Sequence, residues 1–144
     1  MRKILFRGKR IDNGEWVFGY YVKDGANKGL IAAPENGSPT VTLYPVDLST
    51  VGQFTGDKEL LCDADGNTTA GKKIFDGDIL EIVSEEDGNG IYLVFWNDER
   101  GGCDWKHLSG AKPSADYVDA IKIIGNRWDN PERIEGSKKN EDRK

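Results

Sequence analysis

Apolar and aromatic residues in this chain fall in short runs cut by glycine-containing polar turns, a rhythm of strands rather than helices. Residues 4–6 and 16–21 flank Ile11-Asp12-Asn13-Gly14-Glu15, and Asn-Gly is the favoured central pair of a type I′ hairpin turn. A second pair, residues 29–33 and 40–46, flanks Pro34-Glu35-Asn36-Gly37-Ser38-Pro39. Val41 and Leu43 alternate with Thr40, Thr42 and Tyr44, the period-two pattern of a strand with one covered side, and Pro45 marks an edge or a strand end. Residues 46–56 hold no sustained period and read as a connector. Residues 57–71 are polar and turn-rich around Leu60-Leu61, which predicts a flexible loop.

The second half opens on Lys72-Lys73-Ile74-Phe75-Asp76-Gly77-Asp78-Ile79-Leu80. Its Asp-Gly break between two β-forming runs is a strong turn signal. Residues 91–96, Ile-Tyr-Leu-Val-Phe-Trp, are apolar on both faces and suit a central strand; Asp98, Glu99 and Arg100 follow as gatekeepers against aggregation. Residues 103–108 predict a strand carrying Trp105. In residues 117–124, Tyr117, Ile121 and Ile124 fit a helical face, while 120–124 before Gly125-Asn126 fits a short strand. The strand is the reading adopted. Asn130-Pro131-Glu132 predicts one helical turn, with Asn as cap and Pro in first position. Residues 135–144 contain no aliphatic or aromatic side chain and are expected to be disordered.

At 144 residues the chain is one domain or two very small ones. Fourteen aromatic residues with eighteen Gly and five Pro favour pleated surfaces joined by tight turns. A net charge of −5 argues against a dedicated nucleic-acid binder, whose affinity rests on phosphate neutralisation. The first decade nevertheless carries Arg2, Lys3, Arg7, Lys9 and Arg10 and no acid. These cations read either as a phosphate-contacting edge or, preferably, as an edge strand protected against pairing. Trp16, Phe18 and Tyr20 line one face of a strand. Core is the preferred reading, with a stacking platform for bases as the alternative. Cys62 and Cys103 form neither a CxxC unit nor a disulfide framework. No signal peptide and no membrane-length run is present, so a reducing cytoplasm is expected.

Candidate chemistry is thin. Asp63, Asp65 and Asn67 match the first ligands of an EF-hand loop, but Thr68 and Ile74 stand where Gly and Glu are required. Cys103 and His107 lack a paired zinc motif, and along a strand they lie about 13 Å apart at ~3.3 Å per residue. Asp76 and Asp78 could be a carboxylate pair, yet short acids beside Gly more often bond their own turn. No catalytic, metal or cofactor-binding residue is assigned.

Phe-Arg-Gly-Lys-Arg at 6–10, Asn-Gly-Glu-Trp-Val-Phe-Gly-Tyr at 13–20 and Thr-Val-Gly-Gln-Phe-Thr-Gly at 50–56 form an ordered set. Lys72–Leu80, Val94-Phe95-Trp96 and Ile-Ile-Gly-Asn-Arg-Trp-Asp-Asn-Pro-Glu at 123–132 complete it. Together they resemble the YopX family of phage and prophage proteins over nearly the whole chain; the 57–71 segment is longer than the family's compact turn. The resemblance implies a mostly β fold with few or short helices. It implies a small N-terminal β unit of hairpins and connector at 1–56 and, beyond the flexible loop at 57–71, a C-terminal SH3-like barrel at 72–134. It carries no activity and no site residues. The function expected is that of a non-enzymatic accessory protein acting by binding, to another protein, with homo-oligomerisation open to it. The alternative is a nucleic-acid-binding β module using the basic N-terminal strand.

Overall fold

A computed structural model of the chain describes residues 5–25, 28–34 and 40–134. The turn expected at 35–39, the cations Arg2 and Lys3 and the tail at 135–144 lie outside the described residues. The chain divides into two compact units, Met1–Gly56 and Asp57–Lys144. The described residues are mostly antiparallel strand, with two 3₁₀ turns and one helical turn at 131–134.

The first unit contains β1 (Phe6–Lys9), β2 (Trp16–Asp24), β3 (Lys28–Pro34), β4 (Val41–Val46), a 3₁₀ turn at Leu48–Thr50 and the opening of β5 (Gly52–Cys62). Its strand order is β4-β3-β2-β1-β5. The β1–β2 connection differs from a type I′ turn. Gly14 takes φ +73° while no non-glycine residue among the described residues has positive φ, and a type I′ turn needs both central residues there. The Gly14 N–H instead donates to the Arg10 carbonyl at 2.9 Å, and Asn13 uses its side-chain oxygen to accept the Glu15 N–H at 2.9 Å. The same four-residue closure recurs in the second unit, from Gly88 to Ser84 and from Gly101 to Asn97.

The end of β4 returns to the end of β1. Arg10 bridges Val46, the Ile11 N–H donates to the Pro45 carbonyl at 3.0 Å, and the Asp47 N–H to the Lys9 carbonyl at 2.9 Å. Ile31 and Val46 are fully buried within this curl. Tight curvature demands small residues where backbones close up. A Cβ on Gly8 would meet Val46 at 3.1 Å, and one on Gly19 would lie 2.2 Å from the Ala32 carbonyl oxygen. The connector read at 46–56 is thus the 3₁₀ turn and the start of a strand. Strand β1 is not an edge, because it pairs with β2 and β5 at once.

The second unit contains the end of β5, then β6 (Thr68–Phe75), β7 (Asp78–Val83), β8 (Gly90–Asn97), β9 (Gly102–Gly110), a 3₁₀ turn at Ala115–Tyr117 and β10 (Ala120–Asn126). Its order is β5-β10-β7-β8-β9, with β6 on β5. Ile74, Leu80 and Val94 are fully buried, and Cys103, Trp105, Ile121 and Ile123 pack on them. The loop expected at 57–71 is corrected in its secondary structure: β5 and β6 occupy all of it but the hairpin tip. Its polar side chains sit on exposed strand faces, which a sequence cannot separate from a polar loop. The SH3-like barrel expected at 72–134 is not seen closed. Strand β10 inserts between β5 and β7, leaving β9 at the outer edge of an open order. The ambiguous stretch before Gly125 is a strand, as adopted, with an irregularity between Ile123 and Gly125.

Candidate binding face of the first unit

The residues that most invite a catalytic reading are occupied in holding turns. Asp78 is 1% exposed, and its carboxylate accepts the Phe75 N–H at 2.8 Å. Gly77 between the two acids has φ +94°. A Cβ there would stand 2.3 Å from the Trp128 ring, and the Gly77 carbonyl accepts the Arg127 N–H at 2.9 Å. The Phe-Asp-Gly-Asp turn and the Gly-Asn-Arg-Trp segment are therefore two halves of one packed corner. Glu59 is a second buried carboxylate. One oxygen accepts the Lys72 N–H at 2.9 Å and the other the Ile123 N–H at 2.8 Å, tying β6 and β10 to β5.

The Asp63 turn is closed by its own backbone: the carboxylate accepts the N–H groups of Asp65 and Asn67, each at 2.9 Å. Cys103 faces Trp96 across the β8–β9 pair and His107 faces Tyr92, with the His107 Nε2 3.0 Å from the Gly110 carbonyl. Strand geometry keeps thiol and imidazole apart. Among the described residues no group of three or more His, Cys, Asp or Glu is arranged to hold a metal ion.

The basic first decade does not form one patch. Arg7 is buried at 7% exposure, its guanidinium 4.5 Å from the Trp16 ring centroid. The Lys9 ammonium lies 5.5 Å from the same ring, and its backbone N–H donates to the Thr50 hydroxyl at 2.9 Å. Arg10 turns the other way. It lies 4.5 Å from the Tyr44 ring centroid and forms a two-point pair with Asp12, at 3.0 and 2.6 Å. That bond holds the exposed Asp12 carboxyl below its ordinary value and raises Arg10. An open cavity of about 460 Å³ lies on this side, lined by Lys9, Arg10, Asp47 and Leu48 among others.

The face that stands out is the outer one. Opposed residues of antiparallel strands share a side of the sheet. Pairing of Arg7 with Phe18 and Lys9 with Trp16, Tyr20 with Ala32 and Val22 with Leu30, and Ala32 with Leu43 and Pro34 with Val41 defines one continuous side. Phe18 is 47% exposed, Tyr20 64%, Val22 46%, Val41 51% and Leu43 54%. Five of the eight exposed large hydrophobics among the described residues lie on this single face. The core reading of the Trp16-Phe18-Tyr20 stripe is thus overturned for Phe18 and Tyr20. Their neighbours Val17, Gly19 and Tyr21 take the inner side of the curl, and Gly19 is where it draws tight. Val41 and Leu43 belong to the same face, and their alternation was visible in the sequence while its outward sense was not.

These strands make the first unit a β module with an apolar outer face. Residues 5–135 match the family model described as YopX protein, so the chain belongs to the YopX family. Neither the curated proteins nor the solved structures contain a match to this chain.

Proposed function

We propose that this YopX-family chain is a non-enzymatic binding module, a phage or prophage accessory protein that docks a protein surface on the outer face of β2, β3 and β4. The observation that carries the reading is the clustering of Phe18, Tyr20, Val22, Val41 and Leu43 on one side of one sheet. Contiguous apolar patches of this kind mark interaction sites, and aromatic residues dominate the binding energy of protein interfaces. The carboxylates that could serve an enzyme are engaged with backbone N–H groups. The meander β7-β8-β9 followed by a 3₁₀ turn and a returning strand supports an SH3-like frame for the second unit, an analogy of fold rather than of function. Cys62 and Cys103 are not disulfide-bonded, which suits a reducing cytoplasm, and no helix among the described residues is long and apolar enough to cross a membrane.

The test compares the wild type with Tyr20→Glu in cross-linking capture from the native cell. Partners seated on this face disappear with the variant, while Trp96→Glu, an exposed ring of the second unit, leaves them in place. Capture indifferent to Tyr20→Glu overturns the reading. A second reading, single-stranded nucleic acid, is favoured by one observation: Arg7 and Lys9 flank Trp16 beside the exposed rings, the pairing of cations and stacking surfaces that such ligands use. Residues 1–56 also carry seven Lys and Arg against five Asp and Glu, while residues 57–144 carry thirteen against twenty. Salt-sensitive binding of a labelled oligothymidine, lost in Tyr20→Glu, would establish that alternative.

A further inference from the structure

We infer that the surface docked on this face is the same face of a second copy, giving an isologous dimer through β2, β3 and β4. The inference rests on the binding-face reading and names its partner.

The first argument is area. The five exposed side chains are each about half accessible or more. With an aromatic side chain contributing about 150–250 Å², the set amounts to roughly 400–500 Å² of apolar surface. A standard interface buries about 800 Å² per partner, some 60% of it apolar. One face therefore supplies nearly the whole apolar part of a stable dimer.

The second argument is register. Tyr20, Ala32 and Leu43 form one row across three strands, paired Tyr20 with Ala32 and Ala32 with Leu43. Large residues flank a small one, which is only 9% exposed. A two-fold axis along the strands, above Ala32, sets Tyr20 against Leu43 of the partner subunit, and the same contact repeats by symmetry. Each contact of this arrangement occurs twice, as in every two-fold interface, the commonest arrangement among homo-oligomers. The axis also sets the β1 margin of one copy against the β4 margin of the other. Arg7 and Lys9, on β1, are thereby kept from meeting their own copies.

Sedimentation of the full chain across a concentration series tests the proposal. The wild type is expected at twice the 16.0 kDa chain mass. Tyr20→Glu and Leu43→Lys, each at an exposed position, are expected to be monomers with unchanged circular dichroism. Mixing the two single variants is the decisive measurement. The pairing puts Glu at position 20 of one copy against Lys at position 43 of the other, while the native contact survives on the second side, so the mixture regains the dimer. A wild type that stays monomeric at high micromolar concentration overturns the dimer. If Tyr20→Glu still abolishes partner capture in such a monomer, the binding face stands and a different protein occupies it. A dimer that persists in both variants lies elsewhere on the chain and overturns the proposal. Oligothymidine binding by a monomeric wild type, lost in Tyr20→Glu, overturns it in favour of nucleic acid.

Discussion

Asp78 and Phe75 close the corner on which the second unit turns: the buried carboxylate accepts the Phe75 backbone N–H at 2.8 Å across the Gly77 turn. Strand β6 ends and β7 begins within this span, so one side chain sets the entry of both. Removing it strands a buried N–H, and the loss of such a bond amounts to about 1–3 kcal/mol. Asp78→Ala is expected to lower the urea midpoint accordingly, with an unchanged denaturant slope. A midpoint at or above that of the wild type would move Asp76 and Asp78 from turn residues to the leading site candidates, because functional sites trade stability for activity.

Glu59 performs the same service over a longer sequence distance. Its two oxygens take N–H donors from Lys72 and from Ile123, 64 residues away. An amide can offer only one acceptor and turns its NH₂ toward the other donor. Glu59→Gln is expected to destabilise the fold by about 1–3 kcal/mol, the range for leaving a buried donor unsatisfied. Chemical denaturation of the two chains checks it, and equal midpoints would show that the bonds contribute nothing net.

Gly77 cannot be replaced quietly. A side chain at φ +94° is disfavoured by roughly 1–2 kcal/mol, and its Cβ would in addition overlap the Trp128 ring. Gly77→Ala should lower the melting temperature more than Asp78→Ala does and should change the near-ultraviolet signal of Trp128. A variant with wild-type melting would show that Trp128 moves aside freely.

The Arg10–Asp12 pair gives a pH dependence of known sign. Asp12 is held below its ordinary value by the Arg10 hydrogen bond, so the folded state binds its proton less readily than the unfolded one. The stabilisation is present above the unfolded value and disappears as pH falls through the lowered folded value. Because Asp12 is solvent-exposed and Arg10 partly so, the effect is small and weakened by salt. An NMR titration should find the Asp12 carboxyl titrating at lower pH than in the Arg10→Gln chain; coincident curves would remove the pair from the account.

Much of the strand pattern was legible along the chain. The Asp76-Gly77 break marked the corner between β6 and β7, the all-apolar run at 91–96 fell within β8, and the stretch before Gly125 was the strand β10. Local β-forming runs and turn residues act over a few positions, and these elements need no distant partner to be recognised. The hairpin of β5 and β6 was not legible, since its polar exposed faces resemble a loop. Its order comes from Glu59 bonding Lys72 and Ile123, a link that no short window contains.

The binding face shows where this local information ends. Alternation alone placed Trp16, Phe18 and Tyr20 on one side of β2, and Val41 and Leu43 on one side of β4. Which side would be covered was decided in three dimensions. Gly19 lets β2 approach the Ala32 carbonyl, Gly8 makes room for Val46, and the return of Val46 to Arg10 curls the strands. The inner side of that curl holds Ile31 and Val46. With the inside filled, the same period-two pattern that appears to announce a core turns Phe18, Tyr20 and Leu43 outward, because a strand's periodicity sorts residues between two faces and only packing selects the buried one.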